Sequence, residues 1–474
     1  MFEATGFGSA SSCPPEAPRF RMLPVAMLLP ERDDGVARSA AGVFALRIVG
    51  AALSYALTLV LVRALGATEF GIYAQLFVAA SLLGLVLPIG LNGAAVRFIP
   101  EYLQRGRPDR VAGVVSVSRL AVLAAALLAA VALGGAALLA RPALPDGYFL
   151  PLLLAIACLP LLALLDLYES FARGFGWTIL AYAPPYVLMP LAMLAALGIV
   201  IAAGGSANAA TAMTALFAAT AAALATLAVI FHARLPHVVG RAEPRRHTRI
   251  WVLAALPLVV VEASRALLEQ TDILMLGAFA EPAEVAAYFA AARTAGLLGF
   301  IAFSVSALAV PGYARLTATR DKAALQDFVR GTLHLSFWPT LCGVAALVLV
   351  GRTILTWFDA SFAAAYPALV VLAAGFLIKA AAGPVEYLLN AGGDQRAAGG
   401  IYLAGAAVNV AFNLALIPAL GLIGAASATT LSILVVTVLL VERARRRLGI
   451  VSFLRPGGGC FRPRERPDLQ EEAL

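Results

Sequence analysis

Glu262, Arg265, Glu269 and Asp272 lie in one long apolar run, residues 250 to 279, at spacings of three, four and three. On a helix this spacing gathers all four onto one face, and Leu256, Val259, Val260, Leu267, Ile273 and Leu274 make the remainder apolar. Carboxylates so placed can take up a proton or Na⁺, and a guanidinium fork can hold an anionic oxygen pair. Arg293, Lys379 and Arg47 add three cations inside other apolar runs, and Glu386 follows Lys379 by seven residues, on the same helical face. Each Arg or Asp at the centre of a membrane helix costs roughly 2.5–3.5 kcal/mol, so four facing lipid would cost on the order of 10 kcal/mol. They are expected to face other helices or water. Two readings stand: an ion-pair set of Arg265 with Glu262 and Glu269 that locks a bundle, or the wall of a polar cavity.

The elements that must carry these charges are membrane helices. The 474 residues are 61% hydrophobic and 13% charged, with a mean hydropathy of +0.89, which excludes an ordinary soluble protein. Apolar segments long enough to cross the hydrocarbon core recur twelve times. They cover 39–64, 70–92, 111–139, 148–170, 177–203, 208–231, 250–279, 284–311, 328–350, 367–390, 398–418 and 421–441. The fold expected is all-α and polytopic, in two six-helix lobes. An N-lobe at 39–231 and a C-lobe at 250–441 are joined by a basic connector, 232–249. Residues 1–38 and 442–474 are expected to be disordered cytoplasmic tails.

Charge sets the orientation. With a cytoplasmic N-terminus, 27 of the 35 Lys and Arg fall on the inside, three (Arg63, Arg141, Arg352) fall outside and five (Arg47, Arg119, Arg265, Arg293, Lys379) fall within spans. This is the positive-inside distribution, and it puts both termini in the cytoplasm. The net charge of +8 is thereby assigned to topology and to anionic lipid at the basic loops, not to nucleic acid.

Asn92 to Tyr102 and the basic turn through Arg110 read as the first inside loop, and Asp166, Glu169 and Arg173 as a solvated helix end. Pro184, Pro185 and Pro190 interrupt the fifth span, with Pro257 and Pro384 posing the same problem in the seventh and tenth; freed carbonyls there need neighbours or water. His237 and His247 lack companions for a metal site. Glu69 to Tyr73 and Glu284 to Tyr288 repeat a Glu-x-x-x-Tyr pattern at the same place in each half, which fits a parallel duplication. Cys13, Cys158, Cys342 and Cys460 form no evident disulfide or metal framework. No Walker loop, HExxH or nucleophile elbow is present, so neither an enzyme nor direct use of ATP is expected, and no cofactor is implied.

Certain residues carry a resemblance. Leu65, Gly66, Glu69, Phe70, Gly71 and Tyr73, then Gly90, Leu91 and Arg97 to Tyr102, together with Thr271, Asp272, Leu276, Gly277 and Tyr288, and Gly421 to Ala426, resemble the Wzx-like polysaccharide-biosynthesis flippases of the multidrug/oligosaccharidyl-lipid/polysaccharide (MOP) exporter superfamily. The resemblance implies two lobes around a central cavity in a bacterial inner membrane. It also implies transfer of a polyprenyl-pyrophosphate-linked oligosaccharide, an O-antigen or exopolysaccharide repeat unit, from the cytoplasmic to the periplasmic leaflet. Arg265, Lys379, Arg293 and Arg47 are the cations expected to receive the pyrophosphate. Glu262, Glu269 and Asp272 are those expected to couple a proton or Na⁺. A cation-coupled multidrug exporter of the same superfamily would instead want a net acidic cavity. A non-transporting scaffold for glycan-assembly proteins would need none of these charges.

Overall fold

Periodic apolar sequence becomes helix almost throughout. The structure is a computed structural model that describes residues 32–240, 243–245, 247–319 and 321–453. The first lobe contains α1 (Arg32–Leu65), α2 (Ala67–Val86), α3 (Leu91–Gln104), α4 (Pro108–Ala140), α5 (Phe149–Gly174), α6 (Thr178–Ala183), α7 (Met189–Ala202) and α8 (Ala209–Val239). The second contains α9 (Thr248–Phe279), α10 (Pro282–Gly296), α11 (Gly299–Thr319), α12 (Lys322–Phe358), α13 (Tyr366–Ala382), α14 (Val385–Ala391) and α15 (Gln395–Leu448). Among the described residues, eleven helical units are long and apolar enough to span a membrane. The last of these, α15, is bent at Gly421 (φ 54°), so it makes two passes and accounts for the twelve expected spans.

Several local expectations are corrected. Asn92 to Tyr102 is not a loop: it lies in α3, which continues the second span after a turn at Gly90 (φ 73°). Only glycine fits that turn, because a Cβ there would lie 2.2 Å from the Ala255 carbonyl oxygen. Residues 32–38, assigned to a tail, are helical in α1, and residues 1–31 lie outside the described part. At the other end α15 runs on to Leu448. Gln326 then exchanges two hydrogen bonds with the backbone of Val451 (2.8 and 2.9 Å), and Ser452 donates to the Ala382 carbonyl (2.7 Å), which fastens residues 450–452 to the second lobe; residues 454–474 lie outside the described part. The paired prolines of the fifth span produce a π-helical turn, Pro184–Leu188, between α6 and α7, whereas Pro257 is accommodated inside an unbroken α9.

The two halves repeat. Ala67 and Pro282 begin, and Gln104 and Thr319 end, two broken helices 215 residues apart. Their N-terminal segments, α2 and α10, pack tightly together, but their continuations α3 and α11 do not pack on each other. The lobes therefore meet closely on the face opposite the chain termini; toward the termini α3 and α11 are apart, and α1 reaches α11 through Phe44 and Arg47 against Phe303. Gly71 permits the meeting, since a Cβ at that position would lie 1.8 Å from the Pro282 carbonyl oxygen. Phe70 against Phe289, Tyr55 bonded to Thr294 (3.1 Å) and Arg63 donating to the Trp357 carbonyl (2.9 Å) complete the clasp.

Gly71→Val is expected to force this clasp open. Spin labels at position 146, in a loop on that face, and at position 352, near the end of α12, should report a longer mean distance between lobes; an unchanged distribution in folded protein would show that the glycine contact is not what holds it shut.

Candidate functional site

The charges of α9 divide. Glu262, Arg265 and Glu269 are exposed, whereas Asp272 is 3% exposed. Asp272 accepts hydrogen bonds from the Tyr288 hydroxyl (2.6 Å), the Thr429 hydroxyl (3.1 Å) and the Ile273 backbone N–H (2.9 Å). The four-residue face expected from spacing is thus a three-residue face, because α10 and the second pass of α15 cover its last position.

Arg265 lies in the field of Glu269, Glu262, Glu386 and Tyr387, yet among the described residues no ion pair within 4 Å includes it. The locking ion-pair set is therefore absent from this conformation. Lys379 is exposed near the end of α13 and acts electrostatically on Tyr387. Lys379 and Glu386 do not share a helix, since the chain breaks at Gly383 (φ 63°) and Pro384 and restarts as α14. The break nonetheless keeps both beside Tyr387, and Glu386 accepts a hydrogen bond from the Tyr402 hydroxyl.

The first lobe supplies the opposite wall. Arg47 lies over the rings of Phe303, Tyr182 and Tyr186, at 4.5, 5.0 and 5.6 Å, so it touches the π-helical region of its own lobe and α11 of the other. A cation stacked on aromatic faces is stabilised without surrendering its charge. Its Nε is buried and lacks a hydrogen-bond partner, and its field reaches Glu169. Glu169 is 3.8 Å from Arg173, which donates to Ser170 (2.8 Å). Asp166 accepts from Asn92 (2.7 Å) and feels Glu262 across the gap between lobes. The triplet read as a solvated helix end is a half-buried part of the site. Its spacing was visible, but the burial comes from α3, which looked like a loop. Arg293 stands elsewhere, exposed on α10 with its guanidinium 5.2 Å from the Phe289 ring and its field on Tyr73.

Five cations (Arg47, Arg173, Arg265, Arg293, Lys379) thus accompany five carboxylates (Asp166, Glu169, Glu262, Glu269, Glu386). They differ in how they are satisfied. Protein donors occupy Asp166 and Glu386 and the Arg173 guanidinium stands 3.8 Å from Glu169, while Arg47, Arg265, Arg293 and Lys379 have no carboxylate within ion-pair distance among the described residues.

Behind this surface is a second polar set. Gly399 approaches Val261 and Gly405 approaches Leu268, so the first pass of α15 runs beside α9 in a register that brings Asn409 to the height of Asp272. Asn409 and Asn413 are fully buried, and Asn413 donates to the Asn409 Oδ1 (3.0 Å). The Asn413 Oδ1, the Asn409 Nδ2 and the Thr271 hydroxyl remain buried without partners.

Residues 36–317 match the family described as polysaccharide biosynthesis protein. The chain belongs to that family. Its fold is that of MOP-superfamily transporters. An inward-facing multidrug resistance MATE family transporter superposes with a TM-score of 0.68 at 15% identity, covering 90% of this chain and 97% of that one. An outward-facing MATE transporter gives 0.62 at 15% identity, covering 87% and 95%. A MOP transporter from Pyrococcus furiosus, described as having a binding pocket of reversed polarity, gives 0.62 at 14% identity, covering 87% and 95%. No curated protein matches the chain. In this member of the polysaccharide biosynthesis family the charges described above come from both halves of the fold, Arg47, Asp166 and Glu169 from the first and Glu262, Arg265, Glu269, Lys379 and Glu386 from the second.

Removing the Tyr288 hydroxyl leaves a buried carboxylate without its shortest donor. Tyr288→Phe is expected to destabilise the protein by about 1.5–3 kcal/mol, read as a lower melting temperature in detergent. Glu262→Gln, on the exposed face, should leave the melting temperature unchanged; equal losses would contradict the division of α9.

Proposed function

We propose that this protein moves a lipid-linked oligosaccharide, joined to its polyprenyl tail through pyrophosphate, from the cytoplasmic to the periplasmic leaflet by alternating access. What supports the reading is the set of cations without carboxylate partners, Arg265, Lys379 and Arg293 exposed and Arg47 half-buried, in a fold that is clasped at one face. A sugar and its anionic linkage cannot cross hydrocarbon unaided, while a polyprenyl tail is at home there. Arg265 and Lys379, with Arg47 across the gap, receive the linkage; guanidinium forks suit phosphate oxygens and aromatic rings keep Arg47 in place. Arg293, deeper toward the clasp, meets the head group as it advances. Glu262 and Glu269 keep Arg265 from binding so tightly that release is lost.

The coupling ion is assigned to the buried set and not to the exposed face. Asp272, with Thr429 and the unpartnered Asn413 Oδ1, gathers oxygen acceptors where water is scarce. An ionisable group so placed marks an ion pathway more often than a structural contact. A proton or Na⁺ bound at Asp272 alters the packing of α9 against α10 and α15, and hence the balance between the two openings. Both termini lie on the cytoplasmic side in this reading, with the open gap facing the cytoplasm.

Reconstituted into liposomes with polyprenyl-pyrophosphate oligosaccharide, the protein should expose the sugar to an impermeant modifying reagent. Arg265→Ala, folded by melting temperature, should lower that rate by about ten- to a hundredfold, the loss of one charge-assisted contact. Unchanged transport would remove Arg265 from the binding role. Asp272→Asn should retain binding of the lipid-linked sugar but lose dependence on a proton or Na⁺ gradient.

A further inference from the structure

Arg119 is the one in-span cation that has no place in the gap between the lobes. It lies on α4, followed by an uncharged run from Leu120 to Ala140. That run is about 30 Å of helix, enough to cross the hydrocarbon core. On α8, which runs antiparallel, residues 209–231 are likewise uncharged and His232 follows immediately. Arg119 and His232 therefore share one depth, the boundary of the hydrocarbon on the side of the chain termini, where lipid phosphates lie. The outward strip of α4 is apolar and exposed, as a lipid-facing surface requires: Leu120, Leu128 and Val131 are 67%, 71% and 72% exposed.

The pair is built, not loose. Arg119 Nη1 is 2.9 Å from His232 Nε2, and His232 Nδ1 is 2.8 Å from the Ala228 carbonyl oxygen. Arginine only donates, so Nε2 accepts and the ring proton sits on Nδ1, donating to the carbonyl. The carbonyl orients the ring and the ring orients the guanidinium. The imidazole uses part of the fork but neutralises none of its charge, and no carboxylate lies within ion-pair distance among the described residues. Beside it a cleft of about 400 Å³ opens between α4 and α5, lined by Ser116, Arg119, Leu120, Leu123, Leu164 and Tyr168. A cation with free donors, held at phosphate depth at the mouth of an apolar cleft, has the polarity of a phospholipid in reverse.

We propose that this cleft binds one anionic glycerophospholipid from the leaflet on the side of the termini. Its phosphate lies on Arg119 and the start of an acyl chain lies along Leu120, Leu123 and Leu164. The site is separate from the transported substrate and does not depend on what that substrate is.

The test uses full-length protein, stripped of lipid in detergent, and native mass spectrometry with dioleoylphosphatidylglycerol, dioleoylphosphatidylcholine or undecaprenyl phosphate as probes. Wild type should retain one phosphatidylglycerol in preference to phosphatidylcholine. Arg119→Gln should weaken that retention about fivefold, as expected for one basic group at the membrane surface. Leu123→Trp, which fills the cleft and keeps the charge, should give the same loss. Arg234→Gln, removing a guanidinium that lies over the Trp177 ring at the same end of the lobe, should have no effect. Equal phosphatidylglycerol retention by wild type, Arg119→Gln and Leu123→Trp would overturn the proposal. So would a loss in Arg234→Gln as large as in Arg119→Gln, or displacement of phosphatidylglycerol from this site by undecaprenyl phosphate at equal concentration.

Discussion

Charge inside a membrane is the constraint on which the rest of this structure depends. A single ionised side chain facing acyl chains costs several kcal/mol, and this chain places Arg47, Asp166, Glu169, Arg265, Glu269 and Lys379 within or beside its spans. Two arrangements resolve the cost, and both are used. Asp272 is enclosed by donors from α10 and α15 and becomes part of a dry core. The remaining charges are exposed or half-buried, where water can reach them. A single continuous bundle would offer only the first arrangement, so two lobes follow from the inventory of charges as much as from the duplication.

The broken helices serve the same end. In hydrocarbon an interrupted helix exposes carbonyls that nothing satisfies. Three of the interruptions, at Gly90, the π-helical turn at Pro184 and Gly383, each lie beside a polar element of the site: Asn92, the aromatic rings around Arg47, and Lys379 with Glu386. Irregular backbone is placed where water or side chains can complete its hydrogen bonds.

Much of this was legible in the sequence because a hydrophobic span announces itself by length. The twelve spans, the two halves and the Glu69/Glu284 correspondence needed nothing beyond the chain. What stayed hidden depended on neighbours far away in sequence. Asn92 to Tyr102 contains Arg97, Pro100 and Glu101, a loop composition, yet its apolar residues Phe98, Ile99 and Tyr102 are buried against the first lobe's core, and this makes it a helix. Asp272 obeys the same spacing as Glu269, but only the positions of Tyr288 and Thr429 reveal that it is enclosed. Glu386 appeared to share a helix with Lys379 because a Gly-Pro pair can bend a helix or end it, and here it ends one.

Helix α9 belongs to both lobes. Its start is sunk in the first, where Trp251 is 1% exposed and donates to the Tyr102 hydroxyl (3.1 Å), and its middle is held in the second, where Leu268 packs with Tyr402 and Val436. A rod anchored at two points cannot stay straight if those points rotate relative to each other. Pro257 lies between the anchors and removes one rung of the backbone ladder, which lowers the bending stiffness there and nowhere else along the rod. Glu262, Arg265 and Glu269 follow within the next four turns. Flexure at that weak joint would sweep all three through an arc, so the mechanical compliance of one helix is coupled to the position of the charges it carries.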